Sequence, residues 1–201
     1  GIALALDPTG EGQTDNYLAD VTYHNPTFSK NWDVKVQSAY MNIGTSTREI
    51  LFPPGTKLPI DANGNVDPSN YVNIVTFPDG LIGTPSPQEQ HARLDLSGVY
   101  LGLTKHRIRV ASGINWAGLH ANESKNFGPG VIDGSQSSVD GTLTDVTGTP
   151  YVFVKDADRT VYYASMQDEW TFFPDWDRKT RLRYEYYTDV GSTVNPRLAL
   201  V

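Results

Sequence analysis

The 201-residue chain contains no cysteine, which removes disulfide frameworks, thiol chemistry and cysteine-based metal sites. Long apolar runs are also missing. The longest unbroken aliphatic stretch, residues 2–6, falls far short of the roughly 20 residues that a membrane-spanning helix requires. That shortfall leaves open a strand-built membrane protein, whose strands cross with about 10 alternating residues. No basic segment followed by an apolar one opens the chain as a signal peptide would, so the expectation is either a cytosolic protein or one whose signal lies outside these residues. Positive charge is in deficit: 16 Lys and Arg stand against 23 Asp and Glu, for a net charge of -7. Without a basic stripe to neutralise phosphates, nucleic acid is excluded as a partner.

Catalytic and metal-binding patterns are equally sparse. His24, His91, His106 and His120 fall on different segments without the close spacing of a zinc motif. No Gly-rich phosphate loop, nucleophile elbow or HExxH sequence occurs. Asp168 and Glu169 are adjacent, so on a strand they face opposite ways and cannot act as a carboxylate pair. The sequence therefore assigns no catalytic residue, cofactor or metal, and an enzyme is not expected.

What is abundant is β-forming and turn-forming chemistry: 11 Tyr, 7 Phe and 4 Trp with 18 Gly and 13 Pro, and no long stretch of helical periodicity. Tyr17, Ala19, Val21 and Tyr23 alternate with polar residues, interrupted by Leu18; NPTFSKN follows as a predicted turn. Trp32, Val34, Val36, Ser38 and Tyr40 alternate with Asp33, Lys35, Gln37 and Ala39. Further alternations run over 91–101, 107–116, 161–171 and 180–188, with a last strand opening at 197–201. These give about seven antiparallel strands, the last cut off. Short turns are predicted at 25–31, 103–106 and 173–179, a modest loop at 190–196, and long irregular stretches at about 45–89 and 120–159. Because consecutive antiparallel strands return every second connection to the same end, the long loops share one end and the short turns the other.

The charged positions fall on one face: Lys35, Arg93, Asp95, Arg107, Arg109, Arg181, Arg183, Glu185 and Arg197. The opposite face is aliphatic and bracketed by Tyr and Trp. Short turns, long loops, an apolar outer band with aromatic girdles and a polar interior describe a transmembrane β-barrel, and these charges are then its lumen lining. A soluble β-sandwich binding module, for carbohydrate with aromatics as stacking platforms, is the alternative. A passive porin-like barrel is a third reading. Since closed bacterial barrels use even strand numbers from about 8 upward, seven strands without a signal read as a fragment of a larger barrel.

Residues 162–201, YYASMQDEWTFFPDWDRKTRLRYEYYTDVGSTVNPRLALV, resemble the barrel segment of TonB-dependent outer-membrane receptors, in which a QDEW-type strand, a short turn, an LRYD-type strand and a loop ending NPRLALV recur. FPDGLIGTPSPQEQHARLDLSGVY and HRIRVASGINWAGLHANESKNF are similar to the preceding hairpin and loop of a siderophore-receptor-like branch. The resemblance covers about 16–201 and is strongest after His91. It implies a bacterial outer-membrane barrel of about 22 strands, plugged by an N-terminal domain, that takes up an iron-siderophore or similar scarce ligand with energy transmitted by TonB. Residues 1–201 are then part of the barrel domain, in contact with outer-membrane lipid, without the plug.

Function concentrates on loops held by a rigid scaffold. Tyr71, Phe77, Trp116, His120, Asn122, Lys125, Asn126 and Phe127 combine aromatic surface with polar or charged groups and are the ligand-binding candidates; loop packing is the competing role for each, and girdle anchoring the better one for Trp116. Asp61, Asn63, Asn65 and Asp67 resemble a calcium loop, but Gly64 is misplaced and Val72 stands where the bidentate Glu belongs. A turn is expected there instead. Asp168 falls on the apolar face under strict alternation, which predicts a bulge or a position near the membrane interface.

Overall fold

The computed structural model describes residues 11–69, 72–132 and 135–201, and those residues contain strands and turns but no helix. Ten strands are formed: β1 Glu11–Ser29, β2 Trp32–Phe52, β3 Thr56–Pro59, β4 Ile74–Phe77, β5 Leu81–Tyr100, β6 His106–Lys125, β7 Thr144–Asp145, β8 Ala157–Phe173, β9 Trp176–Tyr187 and β10 Gly191–Leu200. The main sheet has the order β1-β2-β5-β6-β8-β9-β10, with β7 added to β6, while β3 and β4 form a separate two-stranded sheet. The fold is thus all-β, a mostly antiparallel meander of seven long strands that is not closed into a barrel.

The strands run further than the alternation predicts. The NPTFS segment, expected as a turn, is the end of β1, and GSTVNP, expected as a loop, is the start of β10. Pro196 lies on β10, which ends the order of the sheet, a position where a residue without an N–H is accommodated readily. Likewise β2, β5 and β6 extend to Phe52, from Leu81 and to Lys125, which narrows the two long connections to 53–80 and 126–156. The turns between paired strands are tight. Residues 174 and 175 join β8 to β9, and Asp175 adopts a φ of 66°, which Asp tolerates better than most side chains.

The chain divides into two compact units. One comprises residues 1–15, 43–88 and 119–156. It contains an apolar core of Ile60, Val75, Phe77, Leu81, Ile132 and Val139, with Leu51, Leu58, Phe127 and Val131 packed against it. Its loops are stitched together at Gly64, where a Cβ would lie 2.7 Å from the carbonyl carbon of Gly128.

The other unit comprises residues 16–42, 89–118 and 157–201, and its described residues include no buried hydrophobic side chain. Along β9 exposure is inverted relative to a soluble sheet. The charged Arg181, Arg183 and Glu185 are half-buried, whereas Leu182, Tyr184 and Tyr186 remain 53%, 45% and 43% exposed. Register places the same apolar face across neighbouring strands, with Tyr162 opposite Tyr186, Met166 opposite Leu182 and Leu198 opposite Thr180.

Gly64 has a φ of +78° as well as no room for a Cβ. Gly64→Ala is expected to cost about 1–3 kcal/mol through backbone strain alone, read as faster proteolysis within 53–80 and 126–156 while cleavage at the β8–β9 turn is unchanged.

Candidate functional site

The polar face of the sheet unit carries a chain of matched groups. Arg93 Nε lies 2.9 Å from Asp95 Oδ2, and the Tyr163 hydroxyl donates to the other oxygen of the same carboxylate. Arg183 stacks over the Tyr163 ring at 4.2 Å and donates from Nε to Glu185 Oε1 at 2.8 Å. Arg109 reaches Glu169 at 3.6 Å, and Gln167 donates to that carboxylate at 2.9 Å. His24 meets Asp33 at 2.7 Å, and Gln37 donates to Asp20 at 3.0 Å. Strand parity explains the arrangement, since residues two apart on one strand or opposite on the next share a face. Gly113 makes room for it: a Cβ there would lie 2.6 Å from both Asp95 and the Tyr163 ring.

Of the other charges assigned to this face, Lys35 and Arg107 are exposed. Arg181 and Arg197 stand directly opposite each other, an arrangement of like charges that costs stability in isolation. A groove of about 590 Å³ lies in the same unit, lined by Leu18, Met41, Trp116 and Val161 together with Arg93 and Arg159. Leu18, which interrupts the polar side of its strand, thereby acquires apolar neighbours.

The opposite face holds an exception. Asp168 pairs in register with Thr180, between Met166 opposite Leu182 and Trp170 opposite Arg178. A bulge is present, but at Thr171/Phe173, so it does not turn Asp168 to the other side. Instead both carboxylate oxygens lie 3.0 Å from His106 Nδ1.

The loop-bearing unit places the ligand-binding candidates in different environments. Phe77 is completely buried in the core and Phe127 packs against it. Asn126 is also completely buried; its side chain accepts from the Ile82 N–H at 2.9 Å and donates to the carbonyls of Gly80 and Asp140 at 2.8 and 3.1 Å. Lys125 is buried with Glu123 at 2.8 Å, and its ammonium sits 3.4 Å over the Phe153 ring and donates to the Tyr151 carbonyl. The Phe153 N–H donates to the second Glu123 oxygen at 2.7 Å. These polar atoms are occupied by the loop's own backbone and ion pair. His120 is exposed and meets Asp156 at 2.5 Å; Asn122 is exposed. Tyr71 lies outside the described residues.

Glu123, Tyr151, Phe153 and Asp156 were not singled out by sequence. The spacing of Glu123 and Lys125 is the usable signal, because residues two apart on β6 share a face.

The calcium-like segment forms a turn closed on itself. Asp61 accepts from the N–H groups of Asn63 and Asn65, both at 2.8 Å, and no group of three potential metal ligands occurs among the described residues. Hydrogen bonding, chiefly from the Asn65 backbone, holds the Asp61 carboxyl below the usual carboxylate range.

A depressed folded-state value means the Asp61 contribution is fully present above the ordinary Asp pKa and is lost as pH falls through the lowered one. Amide NMR signals of Asn63 and Asn65 are therefore expected to stay constant from neutral pH down to about pH 4 and to move only below it. For the buried pair, Lys125→Ala leaves the Glu123 charge uncompensated and is expected to cost about 3–5 kcal/mol. The double substitution Glu123→Leu/Lys125→Met recovers most of that loss in chemical denaturation. Compared with family models and with curated proteins, the chain matches none.

Proposed function

We propose that the sheet unit is a stretch of the wall of an outer-membrane β-barrel transport protein of the TonB-dependent receptor kind. Its apolar face meets lipid, its charged face meets a wetted lumen, and the long connections help capture an iron chelate or comparable scarce ligand at the external end. The observation that carries this reading is the inverted exposure. Arg181, Arg183 and Glu185 on β9 are better covered than Leu182, Tyr184 and Tyr186 beside them, and water is the wrong solvent for such a face.

A two-sheet sandwich is disfavoured by the same observation. It requires the aliphatic face to be buried between layers, yet Val110, Ile114, Leu94 and Leu96 are between 36% and 49% exposed. The receptor assignment rests on the sequence resemblance of 162–201 and on the alternation of tight turns with long connections. Within the loop unit, the exposed His120 and Asn122 are the remaining candidates for ligand contact, while Phe77, Lys125, Asn126 and Phe127 serve the packing that holds the loops. Contact with TonB belongs in this reading to a plug domain and not to the sheet.

Because the chain has no cysteine, single Cys substitutions carry a nitroxide without background. Labels at positions 182, 184 and 186 in the membrane-reconstituted protein are expected to be relaxed by oxygen, and labels at 181, 183 and 185 by a water-soluble nickel chelate. Uniform nickel accessibility, or recovery of the protein in the aqueous fraction without detergent, contradicts the barrel wall.

A further inference from the structure

The polar cluster on the apolar face points to a bound molecule. Trp170 on β8 is flanked from both neighbouring strands. The His106 ring stacks on it from β6 with centroids 5.5 Å apart and planes 4° from parallel, and the Arg178 guanidinium lies 4.8 Å from its centroid on the β9 side. Asp168 is the nearby acid, and it is engaged by His106. Among the described residues no carboxylate forms an ion pair with Arg178, and its Nε is covered without a hydrogen-bond partner. A cation is thus fixed by an indole on a face that is apolar apart from the His106–Asp168 pair, with no carboxylate of its own to balance it.

An apolar groove lies in line with that cation. Leu200 stands opposite Arg178 on β10 and lines an open groove of about 660 Å³ with Phe172, Phe173, Pro174 and Trp176. The irregularity at Thr171/Phe173 interrupts strand alternation, and Phe172 packs on Trp170 at 5.6 Å. Cation, flat aromatic and groove together match an anionic headgroup joined to hydrocarbon: the guanidinium fork suits a phosphodiester, and the groove suits the first part of an acyl chain.

We propose that Arg178, Trp170 and the Phe172/Trp176/Leu200 groove form a binding site for a glycerophospholipid, held by its phosphodiester at the short-turn end of the sheet. This rests on the reading that the face meets lipid. Carbohydrate and free inorganic phosphate fit less well, since neither uses the groove.

The test is native mass spectrometry of the full chain released from nanodiscs of phosphatidylglycerol, in wild type, R178K and R178Q, each carrying a nitroxide at position 182. Wild type is expected to retain one lipid in a state that excess inorganic phosphate does not displace. Retention falls about tenfold or more in R178Q, the scale of one charge-assisted hydrogen bond, and partly in R178K, which keeps charge without the fork. Equal retention in all three, with the label still oxygen-accessible, overturns the site and leaves the barrel wall standing. Displacement by phosphate alone overturns the lipid as occupant. A nickel-accessible label at 182 in wild type overturns both.

Discussion

A single-layer sheet must find a cover for its apolar face, and everything else about the sheet unit follows from that requirement. Fully covering a Leu, Val or Met side chain contributes about 1.5–3 kcal/mol. Met166, Leu182, Tyr184 and Leu198, each 45% exposed or more, forfeit much of that in water. The polar face cannot make up the difference. Partly exposed ion pairs such as Arg93–Asp95 contribute about 0–1 kcal/mol each, so covering the other face is the larger quantity. The matched network has a different role: it spares the charged face the cost of unpaired groups, and its cross-strand members, Arg109–Glu169, Arg183–Tyr163 and Gln37–Asp20, favour one strand alignment.

The loop-bearing unit solves the same problem in the ordinary way. Its connections fold over Ile60, Val75, Phe77 and Ile132 and bury Asn126 with its side chain hydrogen-bonded. The Glu123–Lys125 pair is the costly element, since two charges are taken from water. It is repaid by the Phe153 ring, the Tyr151 carbonyl and the Phe153 N–H around it. The outcome is a set of loops that brings its own core. His120 and Asn122, near the end of β6, stay exposed in the same unit.

Legibility in the sequence tracks the strength of alternation. The seven long strands and their antiparallel order were readable because one face is aliphatic and the other charged over 32–40, 91–101, 107–116 and 180–188. The strand extensions were not. Residues 43–52, 81–88 and 119–125 belong to the unit in which loops cover the strands, so Leu81, Ile82 and Gly83 are consecutively buried and period two disappears. The edge position of Pro196 is likewise a property of the sheet order and not of local sequence. Candidate residues fared worse than strands: Lys125 and Asn126 look like ligand-contacting groups in a polar loop, and only the tertiary fold shows their hydrogen bonds already used.

Asp168, the anomaly of the sequence pattern, also sets a length scale. On the β8–β9 ladder the apolar face runs from Tyr162 opposite Tyr186, through Met166 opposite Leu182, to Trp170 opposite Arg178. Eight residue steps at about 3.4 Å each span about 27 Å along the strand. On the proposed barrel wall, a tilt of about 40° would make that about 21 Å along the membrane normal, close to the apolar band of about 25 Å on outer-membrane barrels. Aromatic rings stand at both limits. On that proposed wall Asp168, His106 and Arg178 would lie towards one end of the band, where water and headgroups reduce the cost of charge, and the outward carboxylate would need no bulge of its own.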